Sequence, residues 1–286
     1  MIIVKSYKSC FSKFLKRYMT HQQILDKLAA KALVQNIDED FARLTAKAMT
    51  YAKHDAKIAE NLTGYVLPKI LLRWDCVLKA ENAEITDNYK RITILALAVI
   101  LHKYGLHDSE ITERAMDAID ALNRDVVLSD DFFRKSDQIK KFISSEPVAL
   151  KRKPSLPDNI TFYRPNDVIA IQLDQHFYCA YIHGHSRPNE SPIIEFYDKI
   201  FDKVPEIQEL QKLPAKGQLY NDGIKRISKY AVSGIKFLPD LANQIKLIRS
   251  NAEIPPSNTH LEESVGLYAI MDLFSIQNEI KRLFGL

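Results

Sequence analysis

Glycine and proline are distributed very unevenly along this sequence. Six of the eight glycines and ten of the twelve prolines lie after residue 150. Because these two residue types interrupt regular secondary structure more strongly than any others, a long stretch that contains few of them favours helices. The chain therefore divides into two parts of different architecture, and its 286 residues have room for one or two domains.

Residues 1–150 have the apolar spacing of helices. Apolar side chains recur three and four positions apart from His21 to Leu33 and again from Phe41 to Tyr51. Asp108 and Ser129 stand where the N-caps of two later helices are expected. The pattern predicts a compact all-α domain of five or six helices with short connections.

One helix of this part is predicted to lie at its centre. The segment Lys90–Tyr104 is apolar on nearly all sides and stops at Gly105, a residue that tolerates a positive φ. His102 and Lys103 occupy its last turn, where cations are favoured by the helix dipole. Its apolar run Ile92–Leu101 has ten residues, about half of what a membrane span requires, so we expect a buried helix of a soluble protein.

Residues 151–165 are predicted to be a linker. They combine prolines with the basic cluster Lys151-Arg152-Lys153 and follow neither the helical nor the strand period. Such a cluster is more typical of a solvated connection than of a binding site, although it could contact phosphate or an acidic partner.

Residues 166–286 begin with strand patterns. Val168–Leu173 has the composition of a strand buried on both faces, and Asp174-Gln175 is predicted to form the tight turn of a hairpin. His176–His183 would return as the second strand, ending near Gly184, and Pro192–Asp198 would be the third.

Two further helices are predicted in this part. Pro205 fits the first turn of a short one, and the Thr259…Glu262 spacing is that of a capping box before a C-terminal helix. The expected fold class is α+β: an N-terminal all-α domain (1–150), a linker (151–165), and a small, strongly bent β-sheet or barrel-like domain with a C-terminal helix (166–286).

Composition excludes several classes of protein. Cys10, Cys76 and Cys179 are far apart and form no CxxC pair, so neither a disulfide framework nor a thiolate zinc site is expected. Residues 1–157 carry 26 Lys and Arg against 20 Asp and Glu, and the remainder 14 against 16. This basic excess is too weak for a dedicated nucleic-acid binder.

The first residues lack the pattern of a secretory signal, so we expect a cytoplasmic protein that does not enter a membrane.

A metal-dependent hydrolase is one alternative. His183 and His185 are two residues apart, and in an uninterrupted strand they would share a face and could bind one metal. The helical part also contains the doublets His54-Asp55 and His107-Asp108. His21, His54-Asp55 and Asp125 together could imitate the metal site of HD-type phosphohydrolases, whereas His107-Asp108 is explained by its place at a helix start. No spacing rule selects a further ligand, so we expect no metal, no cofactor and no enzymatic activity.

A nucleic-acid-binding module is a second alternative. Aromatic residues alternate along the predicted strands, and bases could stack on them. Basic residues are scarce in that region, namely Arg164 and Arg187, which argues against direct nucleic-acid binding.

Three segments of the β-rich part carry a recognisable pattern. The first strand contains Asp167, Val168, Ile169, Ala170, Ile171 and Leu173, the second Tyr178, Ala180 and Tyr181, and the third Phe196, Tyr197 and Asp198. In this pattern, over residues 163–240, the chain resembles the immunity-protein family numbered twenty-six of bacterial polymorphic-toxin systems.

The resemblance implies a protein that binds a cognate toxin in the cytoplasm and blocks it without catalysis. If that toxin is basic, acidic residues should face it, because charge complementarity accelerates association. We therefore predict a partner-binding surface around the second and third strands and the following helix. Its candidate residues are Tyr181, His183, His185, Glu190, Glu195, Asp198, Asp202, Glu206 and Glu209.

Overall fold

A computed structural model of the protein describes residues 19–286. The predictions for the first residues of the chain, including Cys10, lie outside this range. Within it, the first part of the chain forms seven α-helices: α1 (His21–Leu25), α2 (Lys31–Tyr51), α3 (Ala56–Glu60), α4 (Leu62–Leu78), α5 (Asp87–Lys103), α6 (Ser109–Arg124) and α7 (Asp130–Ile143).

The predicted helix ends are confirmed in most cases. The Asp108 side chain caps α6 by accepting from the Ile111 N–H at 2.9 Å, and Ser129 caps α7 in the same way. The helix expected from His21 to Leu33 is instead divided. Ala29 adopts a left-handed conformation (φ 52°) after one 3₁₀ turn, and this reversal lets α2 start at Lys31.

The central helix is α5, and residues Thr93 to His102 along it are buried, as expected. His102 does not have the predicted role of a cation at the helix end. Burial lowers its pKa, and its ring nitrogens contact His21 and Ser145, so the fold disfavours the charged form of this imidazole. None of the helices in residues 19–286 combines the length and apolarity of a membrane span.

The second part of the chain forms a sheet and two more helices, which confirms the α+β class. Its elements are β1 (Val168–Leu173), β2 (His176–Arg187), β3 (Glu190–Phe201), α8 (Ile207–Leu210), β4 (Gln218–Leu219), β5 (Lys225–Arg226), β6 (Tyr230–Ser233), β7 (Ile245–Arg249), β8 (Ala269–Asp272) and α9 (Leu273–Phe284). Six strands form one sheet in the order β7-β1-β2-β3-β6-β8, and β4 pairs with β5. The larger sheet is open, with β7 and β8 at its two edges, and is not closed into a barrel.

The β1–β2 hairpin has the predicted turn, in which Asp174 takes the left-handed conformation (φ 56°). The second strand is longer than expected. Gly184 does not end it, since β2 continues to Arg187 and pairs with β3 along its length. The segment predicted as a polar loop is therefore mostly strand, and the reversal is confined to Pro188-Asn189.

The C-terminal helix begins later than the Thr259…Glu262 spacing predicts. Asp272 caps α9 by accepting from the N–H groups of Phe274 and Ser275. The residues just before it pair with β6 as the parallel strand β8, and this pairing commits them to an extended conformation. Pro205 precedes the N-cap of α8, Glu206, and so lies outside the helix where it was expected.

The sheet is buried on both faces. Leu273, Ile276 and Ile280 of α9 cover one face, and α8 with Ala252 covers the other. Ala242 and Phe274, from the second part of the chain, belong to the core of the helical part. The 151–165 segment is irregular, as a linker should be, but the two parts that it joins pack directly against each other.

Candidate functional site

His183 and His185 lie on opposite faces of the sheet. His183 is an extra residue in β2 that forms a β-bulge between two regular pairs with β3, and an extra residue reverses the alternation of side chains beyond it. The His183 ring packs against Tyr181 on the α8 side, whereas His185 Nε2 lies 2.9 Å from the Tyr163 carbonyl oxygen on the α9 side. The two rings are therefore not placed to bind one metal ion.

Two of the predicted contact residues are inside the molecule. Glu195 is 0% exposed and Tyr181 is buried beside it, because β3 turns this carboxylate toward the layer that contains α8. Glu195 Oε2 lies 2.7 Å from His183 Nε2, and Oε1 has no hydrogen-bond partner in the described part of the chain. A buried carboxylate requires a donor, and His183 supplies it. Neither Glu195 nor Tyr181 is available on the surface for the predicted contact.

The predicted acidic surface carries a mixed charge. Asp198 accepts from Lys216 Nζ at 2.7 Å, and Asp202 lies 3.1 Å from His176 Nδ1. The Glu209 carboxylate accepts from the Glu206 N–H and so closes the first turn of α8. Lys199 and Lys203 stand between these acids in the sequence, and Lys212 follows the last of them. The acidic side chains of this surface are therefore interspersed with basic ones.

The histidines and aspartates of the proposed HD-type site are far from forming one. Asp55 caps α3, Asp108 caps α6, and Asp125 pairs with Arg91. His21 contacts His102 instead of an acidic residue. Among residues 19–286, no group of three His, Cys, Asp or Glu side chains is placed to hold a metal ion.

The two edges of the large sheet differ in their chemistry. β7 carries Lys246 and Arg249, and its pairing with β1 is interrupted by a register shift. Charged side chains and bulges are the usual protection of an exposed edge strand. The chain leading into and along β8, from Ser264 to Met271, contains no charged residue. We call its three exposed apolar side chains, Val265, Leu267 and Ile270, the β8 edge; Ile270 is 85% exposed.

Two grooves meet at Ile270. One, of about 330 Å³, reaches the end of the β2–β3 hairpin and includes Glu190, one of the predicted contact residues. The other, of about 480 Å³, lies between α2, the linker and β8, and we call it the α2 groove. It is lined by Arg43, Ala46, Lys47, Thr50, Tyr51, Lys153, Leu156, Asn159, Ser233, Ile270, Met271, Asp272 and Ser275. A larger groove of about 770 Å³ begins at Met19, the first described residue, and is distant in sequence from β8.

The α2 groove is basic. Its wall contains three cations, Arg43, Lys47 and Lys153, against the single carboxylate of Asp272. That carboxylate is already engaged: it accepts from Lys47 Nζ at 2.7 Å and caps α9. Burial would raise the pKa of Asp272, but Lys47 and Ser275 outweigh it and hold that pKa below its usual value.

Arg43 forms the floor of this groove and is 8% exposed. Its guanidinium donates to Asn159 Oδ1 and to the Asp158 backbone carbonyl, each at 3.0 Å, and to Ser233 Oγ at 3.4 Å. All three acceptors are neutral. Burial lowers the pKa of Arg43, and the more distant carboxylates, Asp40 first among them, do not offset it.

A second buried arginine, Arg73 on α4, is paired completely. Its Nε donates to Asp40 Oδ2 at 2.8 Å, and its two terminal nitrogens donate to both oxygens of Asp240 at 3.0 and 2.8 Å. Burial would lower the pKa of Arg73, but Asp240 and Asp40 outweigh it and raise that pKa. Asp240 also accepts from the backbone N–H groups of Gln244 and Ile245, so this cluster ties the sheet to the helices.

The chain matches no protein-family model, and comparisons with curated proteins and with solved structures give no match either. Function is therefore inferred from the residues and geometry of this chain.

Sequence reasoning missed both the β8 edge and the α2 groove. The uncharged run Ser264–Met271 was a usable signal, because eight residues without charge are unusual for an exposed segment of a chain with 27% charged residues. Arg43 gave no comparable signal, since nothing in its local sequence distinguishes it from the arginine at position 73.

Proposed function

We propose that this chain is an immunity protein, which binds a cognate toxin in the cytoplasm of the producing cell and neutralises it by direct contact. The residues that resemble the immunity family support this proposal, and they lie on three adjacent antiparallel strands, β1 to β3. The observation that carries it is the β8 edge: β8 is an edge strand of the sheet, Ile270 on it is exposed, and so are Val265 and Leu267 in the segment that leads into it.

The β8 edge has the chemistry of a protein-binding surface. An edge strand presents backbone N–H and C=O groups that an incoming strand can pair with, and flanking side chains then supply specificity. Covering one fully exposed isoleucine or leucine contributes roughly 1.5–3 kcal/mol, before the cost of association is subtracted. Val265, Leu267 and Ile270 each expose at least three quarters of their surface and so offer this contribution to a partner.

A different protein fits this edge better than a second copy of the chain does. The basic α2 groove adjoins Ile270, so pairing two identical β8 strands would bring two sets of uncompensated cations toward each other. A partner with apolar side chains and some acidic ones is complementary to both features.

The proposal is tested by affinity purification of the tagged full chain from its native cells at mild salt, with mass spectrometry of the proteins that accompany it. We expect one near-stoichiometric partner whose isolated toxin domain kills cells and is neutralised by this chain. Ile270→Lys should abolish both co-purification and rescue, since it places a charge in the contact without disturbing the core. The matched control is Phe133→Lys, which changes another exposed apolar side chain on α7, far from β8 in sequence, and should keep both.

Other results would favour the alternatives. Stoichiometric divalent metal in the purified protein would support a hydrolase, and salt-dependent retention on an oligonucleotide would support a nucleic-acid-binding module. Rescue that survives Ile270→Lys but is lost when Asp198, Asp202, Glu206 and Glu209 are neutralised would move the contact to the mixed-charge surface around α8.

A further inference from the structure

Among the described residues, Arg43 is a buried cation that forms no ion pair, and the carboxylates of Asp40, Asp272, Glu39 and Asp158 act on it only from further away. No carboxylate of residues 19–286 lies within 4 Å of its guanidinium, and residues 1–18 contain neither Asp nor Glu. Buried charges are normally paired, because removing an ion from water is costly and neutral hydrogen bonds replace only part of its hydration. The charge of Arg43 therefore lacks the compensation that the chain gives to Arg73.

Not all hydrogen-bond donors at Arg43 and Lys47 have a partner among the described residues. A guanidinium has five N–H groups, and three hydrogen bonds are made here. Lys47 Nζ donates two hydrogen bonds, one to Asp272 and one to Ser275 Oγ at 2.5 Å. Lys153, at the rim, is exposed and forms no ion pair with the described residues.

The burial of Arg43 increases the strength of a charge interaction with its guanidinium. Arg43 is 8% exposed, so the surrounding chain shields its guanidinium from most water, and Tyr51, Leu156 and Ile270 add apolar or aromatic surface to the groove. In such a setting a hydrogen bond between a guanidinium and an anion is stronger than the same bond at an open surface.

We propose that the α2 groove is a binding site for an oxyanion, a carboxylate or a phosphate group, with the Arg43 guanidinium as its main donor and Lys47 and Lys153 as the second and third cations. The site rests on the geometry of the groove alone and does not depend on the chain being an immunity protein. Its position beside Ile270 means that an acidic side chain of a protein bound at the β8 edge is one source of the anion, and a small phosphorylated molecule is the other.

The test is a nuclear magnetic resonance titration of the full chain with inorganic phosphate and, separately, with acetate, with chloride adjusted to keep the ionic strength constant. We expect saturable changes in the amide signals of Arg43, Asn159 and Asp272. The apparent Kd for the anion should be at least tenfold larger in Arg43→Met and about threefold larger in Lys153→Met than in the wild type. Arg282→Met, which removes a surface arginine paired with Glu279, should leave it unchanged.

The outcomes separate clearly. Saturation by both anions assigns the site to carboxylate and phosphate ligands, and saturation by phosphate alone assigns it to phosphorylated ones. Changes in the amide signals that never saturate would overturn the proposal. An apparent Kd that is the same in Arg43→Met and Lys153→Met as in the wild type would overturn it as well. If Arg43→Met fails to fold, Lys153→Met still tests the proposal, because the Lys153 side chain is exposed and its replacement should not disturb folding. Loss of anion binding leaves the Ile270→Lys test of toxin neutralisation unaffected.

Discussion

Two arginines of this protein reach from the helical part toward the sheet part and are both removed from solvent, yet their environments are opposite. Arg73 is 1% exposed and forms charge-assisted hydrogen bonds with two carboxylates. Arg43 is 8% exposed and meets only neutral oxygens among the described residues. The direction of the pKa shift follows this difference: it is upward for Arg73 and downward for Arg43.

The contrast separates a structural role from a binding role. A cation held by two internal carboxylates is satisfied in the folded chain and fixes how the two parts pack. A cation held only by neutral groups beside an open groove gains further stabilisation from an external anion. Burial alone therefore does not distinguish the two arginines, whereas the presence or absence of a carboxylate partner does.

The largest effect is expected for Arg73→Met, which leaves the carboxylates of Asp40 and Asp240 buried and unpaired. Removing one partner of a buried ion pair typically costs about 3–5 kcal/mol, so we expect a loss of that size in the free energy of unfolding. Chemical denaturation monitored by circular dichroism measures it.

The triple variant Arg73→Met/Asp40→Asn/Asp240→Asn is the control, since it removes the stranded charges as well. It should regain part of the lost stability. A loss below about 1 kcal/mol in the single variant would contradict the structural role of this arginine.

An intermediate effect is expected for Asp272→Ala, which acts on both stability and the groove. Loss of the N-cap of α9 costs roughly 0.5–2 kcal/mol, and Lys47 loses its carboxylate partner. The groove then carries three cations and no carboxylate, so phosphate should bind more tightly in the titration described above.

Asp55→Ala is the matched control for this prediction. It removes a capping aspartate that also accepts from two backbone N–H groups, but at α3, outside the groove. It should weaken stability without changing phosphate binding. Weaker phosphate binding in Asp272→Ala would argue against an anion at the Arg43 floor.

A small effect on stability is expected for Arg43→Met. Replacing a buried, uncompensated charge by an apolar side chain of similar length removes a desolvation cost that offsets the three lost hydrogen bonds. The free energy of unfolding should change by less than about 1 kcal/mol, measured beside Arg73→Met under the same conditions. If Arg43→Met lowered the free energy of unfolding as much as Arg73→Met does, the distinction between a binding arginine and a structural one would not hold.

Much of the fold could be predicted from the sequence, because its signals are local. The caps at Asp108 and Ser129 and the turn at Asp174-Gln175 depend on a few adjacent residues and are confirmed. The C-terminal helix was placed too early, since pairing between β6 and β8 overrides the local capping pattern. Such pairing joins residues about forty positions apart and leaves no local trace.

The candidate site was harder to predict for the same reason. The bulge at His183 separates two histidines that a regular strand would have put on one face, and it depends on register with β3. The burial of Glu195 likewise depends on which face of the sheet is covered by α8. The contrast between Arg43 and Arg73 depends on carboxylates contributed by distant segments, which no spacing rule relates to them.

The smallest effect concerns a third basic group, His21, which the fold removes from water only in part and whose charged form is disfavoured. Burial, with His102 and Lys103 nearby, lowers the pKa of His21 to about 4. Because this pKa is below the unfolded value of about 6.5, the unfolded chain binds more protons between these values. The contribution of His21 to stability is therefore complete above pH 6.5 and is lost as the pH falls toward 4. Since the ring is partly exposed, we expect less than about 1 kcal/mol between pH 7 and pH 5.5.

His21→Gln should flatten the dependence of the melting temperature on pH in that range, and His54→Gln, which changes an exposed histidine, should not. Equal slopes for His21→Gln and the wild type would show that the His21–His102 contact, 2.9 Å between ring nitrogens, does not keep the pair neutral. A flattened slope would add a third solution to the comparison: a buried basic group in this protein is paired with carboxylates, left for an external anion, or kept uncharged.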